Sequence, residues 1–254
     1  MTKIIARTVA LILTPILAFG AEAKIAAAAD LVYCFPEVKK AFEKRYPNEN
    51  VSFSFGSSGK AMTQIVNGAP YDMYFSANMG YVQKLKNQGF IATDPKPYAY
   101  GRVGMFVLNS SAVDISKGIG VLLDPSIKKI AIADPAHAPY GVAAVESLKS
   151  QGIYDKIKSK LVLGENVSQA TQFVSSGAAD IGIIPISLGY SDKLKREGKF
   201  LLFPAKWHND IVQGYGITTV GASNKTAKLF SEYVSSPEAR KIFKQYGFVL
   251  PNEE

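Results

Sequence analysis

A short polar turn between a strand and a helix carries the residue types best suited to bind an anion. Residues 51–55 alternate valine or phenylalanine with serine, which predicts a strand with one apolar face. The sequence Gly-Ser-Ser-Gly follows at residues 56–59, and a helical pattern then begins. The first N–H groups of a helix have no internal acceptor and lie at the positive end of its dipole. With the hydroxyls of Ser57 and Ser58 added, this turn is predicted to be an oxyanion cradle. The simpler alternative is that a serine only caps its helix.

The N-terminus has the pattern of an export signal. Lys3 and Arg7 precede an apolar stretch at residues 8–19, and small residues that suit cleavage follow, ending at Gly20 or at Ala23. The apolar stretch is shorter than the roughly 20 residues that cross a bilayer. We therefore predict a signal peptide over residues 1–23 and an exported, soluble mature chain. An uncleaved anchor is the alternative.

Charge and cysteine content exclude several functions. The chain has 29 Lys and Arg against 21 Asp and Glu, a formal charge of +8, but these residues are scattered. Such a balance suits an anionic ligand in a general electrostatic sense and argues against nucleic acid. Cys34 is the single cysteine, so no internal disulfide can form, and we expect a buried helix thiol. The chain has two histidines, which are too few for a histidine-rich metal site.

Strand and helix patterns alternate along the mature chain, which predicts an α/β fold with doubly wound sheets. About 230 residues exceed a usual single core, so we expect two lobes. The first lobe is assigned to residues 24–103 and 216–254, and the second to residues 104–215. Long strands near 102–108 and 213–219 are predicted as the crossovers, with the last two helices returning to the first lobe. Ligands bind at the carboxyl ends of such sheets, here in the cleft between lobes.

Four strand-to-helix turns are expected to face this cleft. They contain Ala29 and Asp30, Ser57 and Ser58, Tyr140, and Val167, each at or just before a predicted helix start. Four helix N-termini that converge on one point form an anion site made mainly of backbone dipoles. Val167 could contribute only its N–H group.

Asp30 and Tyr140 each leave two interpretations open. A carboxylate that faces a fully ionised anion would repel it. We expect Asp30 to cap its own helix. The alternative is that its carboxylate accepts a hydrogen bond from an anion that carries a proton, such as hydrogen phosphate. Tyr140 could pack over the groove between lobes, or its N–H could bind the anion while its ring excludes water.

Several segments closely resemble the periplasmic molybdate-binding proteins of ABC importers. They are AAAAD at 26–30, SFGSSGKAMTQIVNGAPYDMYFSAN at 54–78, DPAHAPYG at 134–141 and KIFKQYGFVL at 241–250. The resemblance implies a type II periplasmic binding fold that closes over molybdate or tungstate and delivers it to a membrane permease. It implies no cofactor and a monomer as the default state. The family's ligand contacts carry over to Ala29, Asp30, Ser57, Ser58, Tyr140 and Val167, with molybdenum bound as the oxyanion rather than ligated directly.

The sequence departs from that family at two turns. Ala29 and Asp30 stand where many members have a hydroxyl residue, and Pro185 stands where some have a tyrosine. Proline has no N–H to donate, so one or two ligand hydrogen bonds are expected to be absent or replaced.

Two other functions compete with molybdate binding. The first is binding of sulfate or phosphate. The second is a phosphate-ester hydrolase, against which no motif supplies Ser57 or Ser58 with a His or Lys base. We therefore predict a binding protein with no catalytic residues.

Overall fold

The structure is a computed structural model that describes residues 22–252. It contains ten strands, which are β1 (Glu22–Ala28), β2 (Asn50–Gly56), β3 (Met73–Ser76), β4 (Lys96–Gly101), β5 (Val103–Leu108), β6 (Ile130–Ala133), β7 (Leu161–Gly164), β8 (Ile181–Pro185), β9 (Gly198–Leu202) and β10 (Ile211–Ile217). Most of the predicted signal peptide lies outside the described residues. Glu22 and Ala23 are part of β1, so cleavage after Gly20 would leave this strand whole, whereas cleavage after Ala23 would shorten it.

Helices follow most of the strands. They are α1 (Cys34–Arg45), α2 (Ser58–Val66), α3 (Met79–Asn87), α4 (Pro139–Ser150), α5 (Tyr154–Ile157), α6 (Val167–Ser175), α7 (Ile186–Gly189), α8 (Asp192–Glu197), α9 (Lys225–Val234) and α10 (Pro237–Gln245). A 3-10 helix, Ala29–Leu31, connects β1 towards α1. The predicted alternation of strands and helices is confirmed, but the sequence patterns do not predict β4 and β9.

The strands form two five-stranded sheets of the same topology. The first has the order β2-β1-β3-β10-β4 and the second has the order β7-β6-β8-β5-β9. In each sheet the three βα strands are parallel, and the fourth strand runs antiparallel to both neighbours. Each sheet is therefore mixed. The α/β fold with two doubly wound lobes is confirmed.

The chain crosses between the sheets twice. The first crossing is Arg102, the single residue between β4 and β5, and the second is residues 203–210 between β9 and β10. Arg102 Nη2 donates to the carbonyl oxygen of Phe203 at 2.7 Å, which joins the two crossings. The long strands β5 and β10 each lie wholly within the lobe that the chain has just entered. The predicted lobe boundary at residue 215 falls inside β10. The sequence pattern indicates a strand near this position but does not show which strands it pairs with.

Aromatic side chains fill the core of the first lobe. The ring of Phe35 in α1 lies 5.0 Å from those of Phe53 and Phe75, and about 6 Å from those of Phe230 and Phe243. Phe230 belongs to α9 and Phe243 to α10, so both C-terminal helices pack against the core of the first lobe. The buried thiol of Cys34 lies in the same core.

We expect Phe35→Ala to destabilise the first lobe strongly. Removing a fully buried ring with four aromatic neighbours leaves a cavity, at a cost of about 3–5 kcal/mol in the free energy of unfolding. Urea unfolding followed by circular dichroism measures this loss. Val220→Ala, at a side chain that is 57% exposed, should change stability by less than about 0.5 kcal/mol. A small loss for Phe35→Ala would contradict the assignment of this ring to the core.

Candidate functional site

A small cavity lies between the lobes, beyond the carboxyl ends of their sheets. In this closed form its volume is about 10 Å³, far below the ~300–1,000 Å³ of sites for drug-sized molecules. All six candidate residues line it: Ala29, Asp30, Ser57, Ser58, Tyr140 and Val167. Each of them is less than 5% exposed. The structure thus brings together, around one small buried site, residues that lie up to 138 positions apart.

The two serines have different roles in the fold. Ser57 is the N-cap of α2, and its hydroxyl oxygen accepts from the Lys60 N–H at 3.4 Å. Ser58 is the first residue of that helix, and its hydroxyl oxygen accepts from the Ala77 N–H at 2.9 Å. Capping therefore describes Ser57 but not Ser58. In both hydrogen bonds the hydroxyl is the acceptor, so its proton is available for an anion in the cavity.

The second lobe presents the starts of two helices. Tyr140 is the second residue of α4, behind Pro139, which has no N–H and suits a helix start. Val167 is the first residue of α6, whose N-cap Asn166 accepts from the Gln169 N–H at 3.1 Å. The N–H groups at these positions have no acceptor within their own helices. Their dipoles and the dipole of α2 supply positive potential without a charged side chain.

Asp30 is not a helix cap, which corrects the expectation from the sequence. Its 3-10 helix has no side-chain capping bond. Asp30 Oδ2 instead accepts from the Tyr140 hydroxyl at 2.8 Å and from Gln213 Nε2 at 2.9 Å. Gln213 Nε2 also donates to the Tyr140 hydroxyl oxygen at 2.7 Å, and the Tyr98 hydroxyl donates to Gln213 Oε1. The carboxyl thus belongs to a buried polar network that spans both lobes.

Burial controls the ionisation of this network. Desolvation raises the pKa of Asp30 from 3.8 to about 6, against the lowering effect of the hydrogen bonds from Gln213 and Tyr140. Burial also raises the pKa of the Tyr140 hydroxyl well above its ordinary value, so this group stays neutral and donates. The carboxyl is therefore the group of the site whose charge changes near neutral pH.

Direct contacts between the lobes hold the cavity closed. The Gly59 N–H at the start of α2 donates to the carbonyl oxygen of His137 at 2.9 Å. The Ser168 hydroxyl donates to the carbonyl oxygen of Ala29 at 2.9 Å, and the Ser187 hydroxyl donates to that of Asp30 at the same distance. At the rim, Lys60 Nζ lies 3.2 Å from Glu165 Oε1, an exposed ion pair that adds little energy. The structure is that of a closed form.

Sequence reasoning did not find Gln213 and Tyr98, which complete the network around Asp30. Both lie on strands of the first sheet, and nothing in their local sequence distinguishes them from other strand residues. Pro185 ends β8 and precedes α7, where the Ser187 hydroxyl contacts the Asp30 turn. The second lobe therefore contacts the first through Ser187, two residues after the proline that stands where some family members have a tyrosine.

The described part of the chain offers neither a metal centre nor a membrane span. No group of three or more His, Cys, Asp or Glu residues between 22 and 252 could hold a metal ion. In the same range, no helix has the length and apolar character needed to cross a membrane.

Two α/β lobes, two crossings and an enclosed cavity between them define the class of solute-binding proteins that close around a small ligand. The chain belongs to the family of bacterial extracellular solute-binding proteins, whose model matches residues 23–249. The predicted type II two-lobe fold and the resemblance stated from the sequence are confirmed.

Individual relatives are similar to this protein over most of its length. A molybdate-binding protein ModA of Azotobacter vinelandii is 33% identical over 91% of this chain and 91% of its own length. A molybdate-binding protein ModA of Rhodobacter capsulatus is 31% identical over 91% of this chain and 90% of its own. The solved structure of the periplasmic molybdate-binding protein of Azotobacter vinelandii matches with a TM-score of 0.84, covering 91% of this chain and 100% of that chain.

Gly59→Ala should prevent full closure while leaving each lobe folded. An added Cβ would lie 2.8 Å from the His137 carbonyl oxygen of the other lobe, closer than real Cβ contacts. We expect anion affinity to fall roughly ten- to hundredfold, the equivalent of ~1–3 kcal/mol of overpacking. Calorimetric titration with molybdate, the anion named in those relatives, gives the affinity, and small-angle scattering gives the closure.

Gly120→Ala is the matched control, because a Cβ there would meet nothing within 4 Å. Equal affinity and equal compaction in the wild type and Gly59→Ala would show that this contact does not limit closure.

Proposed function

We propose that this chain is a periplasmic solute-binding protein that captures molybdate, and tungstate of the same shape and charge, and delivers it to an ABC importer. The observation that carries the proposal is the meeting of Ala29, Asp30, Ser57, Ser58, Tyr140 and Val167 around one buried cavity between the lobes. The names of the relatives supply the anion, and the cavity supplies donors suited to it.

Binding of the anion would favour closure of the two lobes. The first lobe offers the Ser57 and Ser58 hydroxyls and the start of α2, while the second lobe offers the N–H groups of Tyr140 and Val167. Neither lobe alone surrounds a tetrahedral anion, so the ligand gains its full set of donors only when the lobes meet. A ligand with more contacts in the closed form shifts the population towards that form. A permease that recognises both lobes at once would then distinguish the loaded protein from the empty one.

We propose a monomer that works in the periplasm, with the permease and the oxyanion as its partners and with neither nucleic acid nor a cofactor. Lys and Arg are scattered along the sequence and not clustered, which argues against a nucleic-acid partner. The predicted export signal supports the location.

Phosphate is the second candidate ligand, and one observation favours it. Asp30 is a buried carboxyl in the cavity wall, and a carboxylate accepts a hydrogen bond from an anion that carries its own proton. Sulfate carries no proton at neutral pH and gains nothing from this group. A phosphate-ester hydrolase has less support, because the Ser57 and Ser58 hydroxyl oxygens accept from backbone N–H groups and, among the described residues, neither hydroxyl donates to a base.

Calorimetric titration of the mature protein with molybdate, tungstate, sulfate and phosphate over pH 6–8 tests the proposal. We expect tight binding of molybdate and tungstate, and little or no heat from sulfate. Binding of phosphate alone would replace the proposed ligand. No detectable binding of either molybdate or tungstate would refute the proposal.

Ser58→Ala should weaken molybdate binding by about 1–3 kcal/mol, the value of a hydrogen bond to a charged group. The measurement is the ratio of the dissociation constants from the same titration. Ser54→Ala serves as the control, since Ser54 is an exposed residue of β2, the strand that leads into α2. An unchanged affinity in Ser58→Ala would mean that this hydroxyl serves only the Ala77 N–H.

A further inference from the structure

One oxygen of the Asp30 carboxyl has no hydrogen-bond partner among the described residues. Oδ2 accepts from Tyr140 and Gln213, whereas Oδ1 is buried and accepts from nothing. Asp30 is 1% exposed and lines the same cavity as Ser57 and Ser58. A buried oxygen without a donor is costly, and Asp30 lines the anion cavity, so a bound ligand is the partner that this arrangement can supply.

Among residues 22–252, no cationic group is found to act on this carboxyl. The titratable groups that act on it or that it acts on are Tyr140 of α4, Tyr98 of β4 and Cys34 of α1, and none of them is positively charged at neutral pH. The other elements packed against its 3-10 helix are α6, α7 and β2, which contain no Asp, Glu, Lys, Arg, His, Tyr or Cys. An ionised Asp30 and a dianion would therefore share a dry cavity with no counter-charge.

We propose that the cavity binds its oxyanion together with one proton, carried on Asp30 Oδ1 and donated in a hydrogen bond to a ligand oxygen. This inference rests on the proposed function and specifies the ionic form that the same site accepts. For molybdate, which is an unprotonated dianion at neutral pH, the proton comes from a hydronium ion or a buffer acid in solution: the bond that holds the proton in that acid breaks, and a new O–H bond forms at Oδ1. Oδ2 keeps its two donors, so the network with Tyr140 and Gln213 is preserved in the bound state.

The sign of the pH dependence follows from this geometry. Without ligand, the Asp30 pKa is about 6, and a neighbouring dianion raises it further because the charged carboxyl is repelled. Below about pH 6 the carboxyl is protonated in both states, and affinity is independent of pH. Above about pH 6 binding takes up one proton, and affinity falls by up to about tenfold per pH unit until the pKa of the complex is reached.

The test is a calorimetric titration of the wild-type protein with molybdate at pH 7.5 in two buffers of different ionisation enthalpy. The difference in observed heat gives the number of protons taken up, which we expect to be close to one. Affinities at pH 7 and pH 8 should differ by about tenfold. Because this measurement uses the wild-type chain, it does not depend on whether any variant folds.

Asp30→Asn assigns the proton to its residue. The amide oxygen can accept from Tyr140 and Gln213, while the amide N–H can donate to the ligand without titrating. We expect no proton uptake and less than about twofold change in affinity between pH 7 and pH 8. Asp155→Asn is the matched control, since Asp155 is an exposed residue of α5. It should retain the proton uptake of the wild type.

The outcomes separate the inference from the proposed function. Tight molybdate binding with no proton uptake would overturn the role of Asp30 and leave the binding function intact. Proton uptake that persists in Asp30→Asn would also overturn it, because another group would carry the proton. Absence of molybdate binding by the wild type at any pH from 6 to 8 would refute the proposed function itself.

Discussion

The molecule must enclose negative charge between two lobes without a cationic side chain in the cavity wall. The residues that line the cavity include no Lys, Arg or His, although the chain as a whole carries a formal charge of +8. Positive potential at this point comes from helix N-termini, whose N–H groups have no internal acceptors. Dipoles are fixed by the backbone, so the fold has to aim them. The matching topology of the two sheets does this, because each sheet ends its parallel strands at the same interface.

The closing of the lobes is linked to the site through the Asp30 network. Tyr140 contributes to the cavity through the start of α4, and its hydroxyl reaches across to Asp30 of the first lobe. Gln213 lies near the start of β10, shortly after the second crossing between lobes, and contacts both of those groups. Asp30 and Tyr140 therefore line the ligand cavity and join the two lobes, and Gln213 links both of them to the strand that follows the second crossing. A change of charge at Asp30 would be felt at all three places.

Local patterns predicted most of the fold, because alternation and helical periodicity are properties of neighbouring residues. They also placed all six candidate residues, since a turn between a strand and a helix is visible in the sequence. The strand partners of β10 and the role of Gln213 depend on contacts between residues more than a hundred positions apart. The expectation that Asp30 caps its helix was wrong for the same reason: its true partners are 110 and 183 residues away.

Backbone N–H groups and hydroxyls bind any tetrahedral oxyanion of suitable size, so the donors alone distinguish poorly between anions of similar shape. Asp30 and Tyr140 are the ionisable residues of the cavity wall, and burial keeps the tyrosine neutral. The carboxyl is thus the feature of the wall that can respond to the charge and protonation of a ligand. A polar but neutral residue at position 30 would leave the anion to be selected by size. An aspartate adds charge as a second criterion. When its carboxyl is ionised it repels a dianion, and when it is protonated it does not.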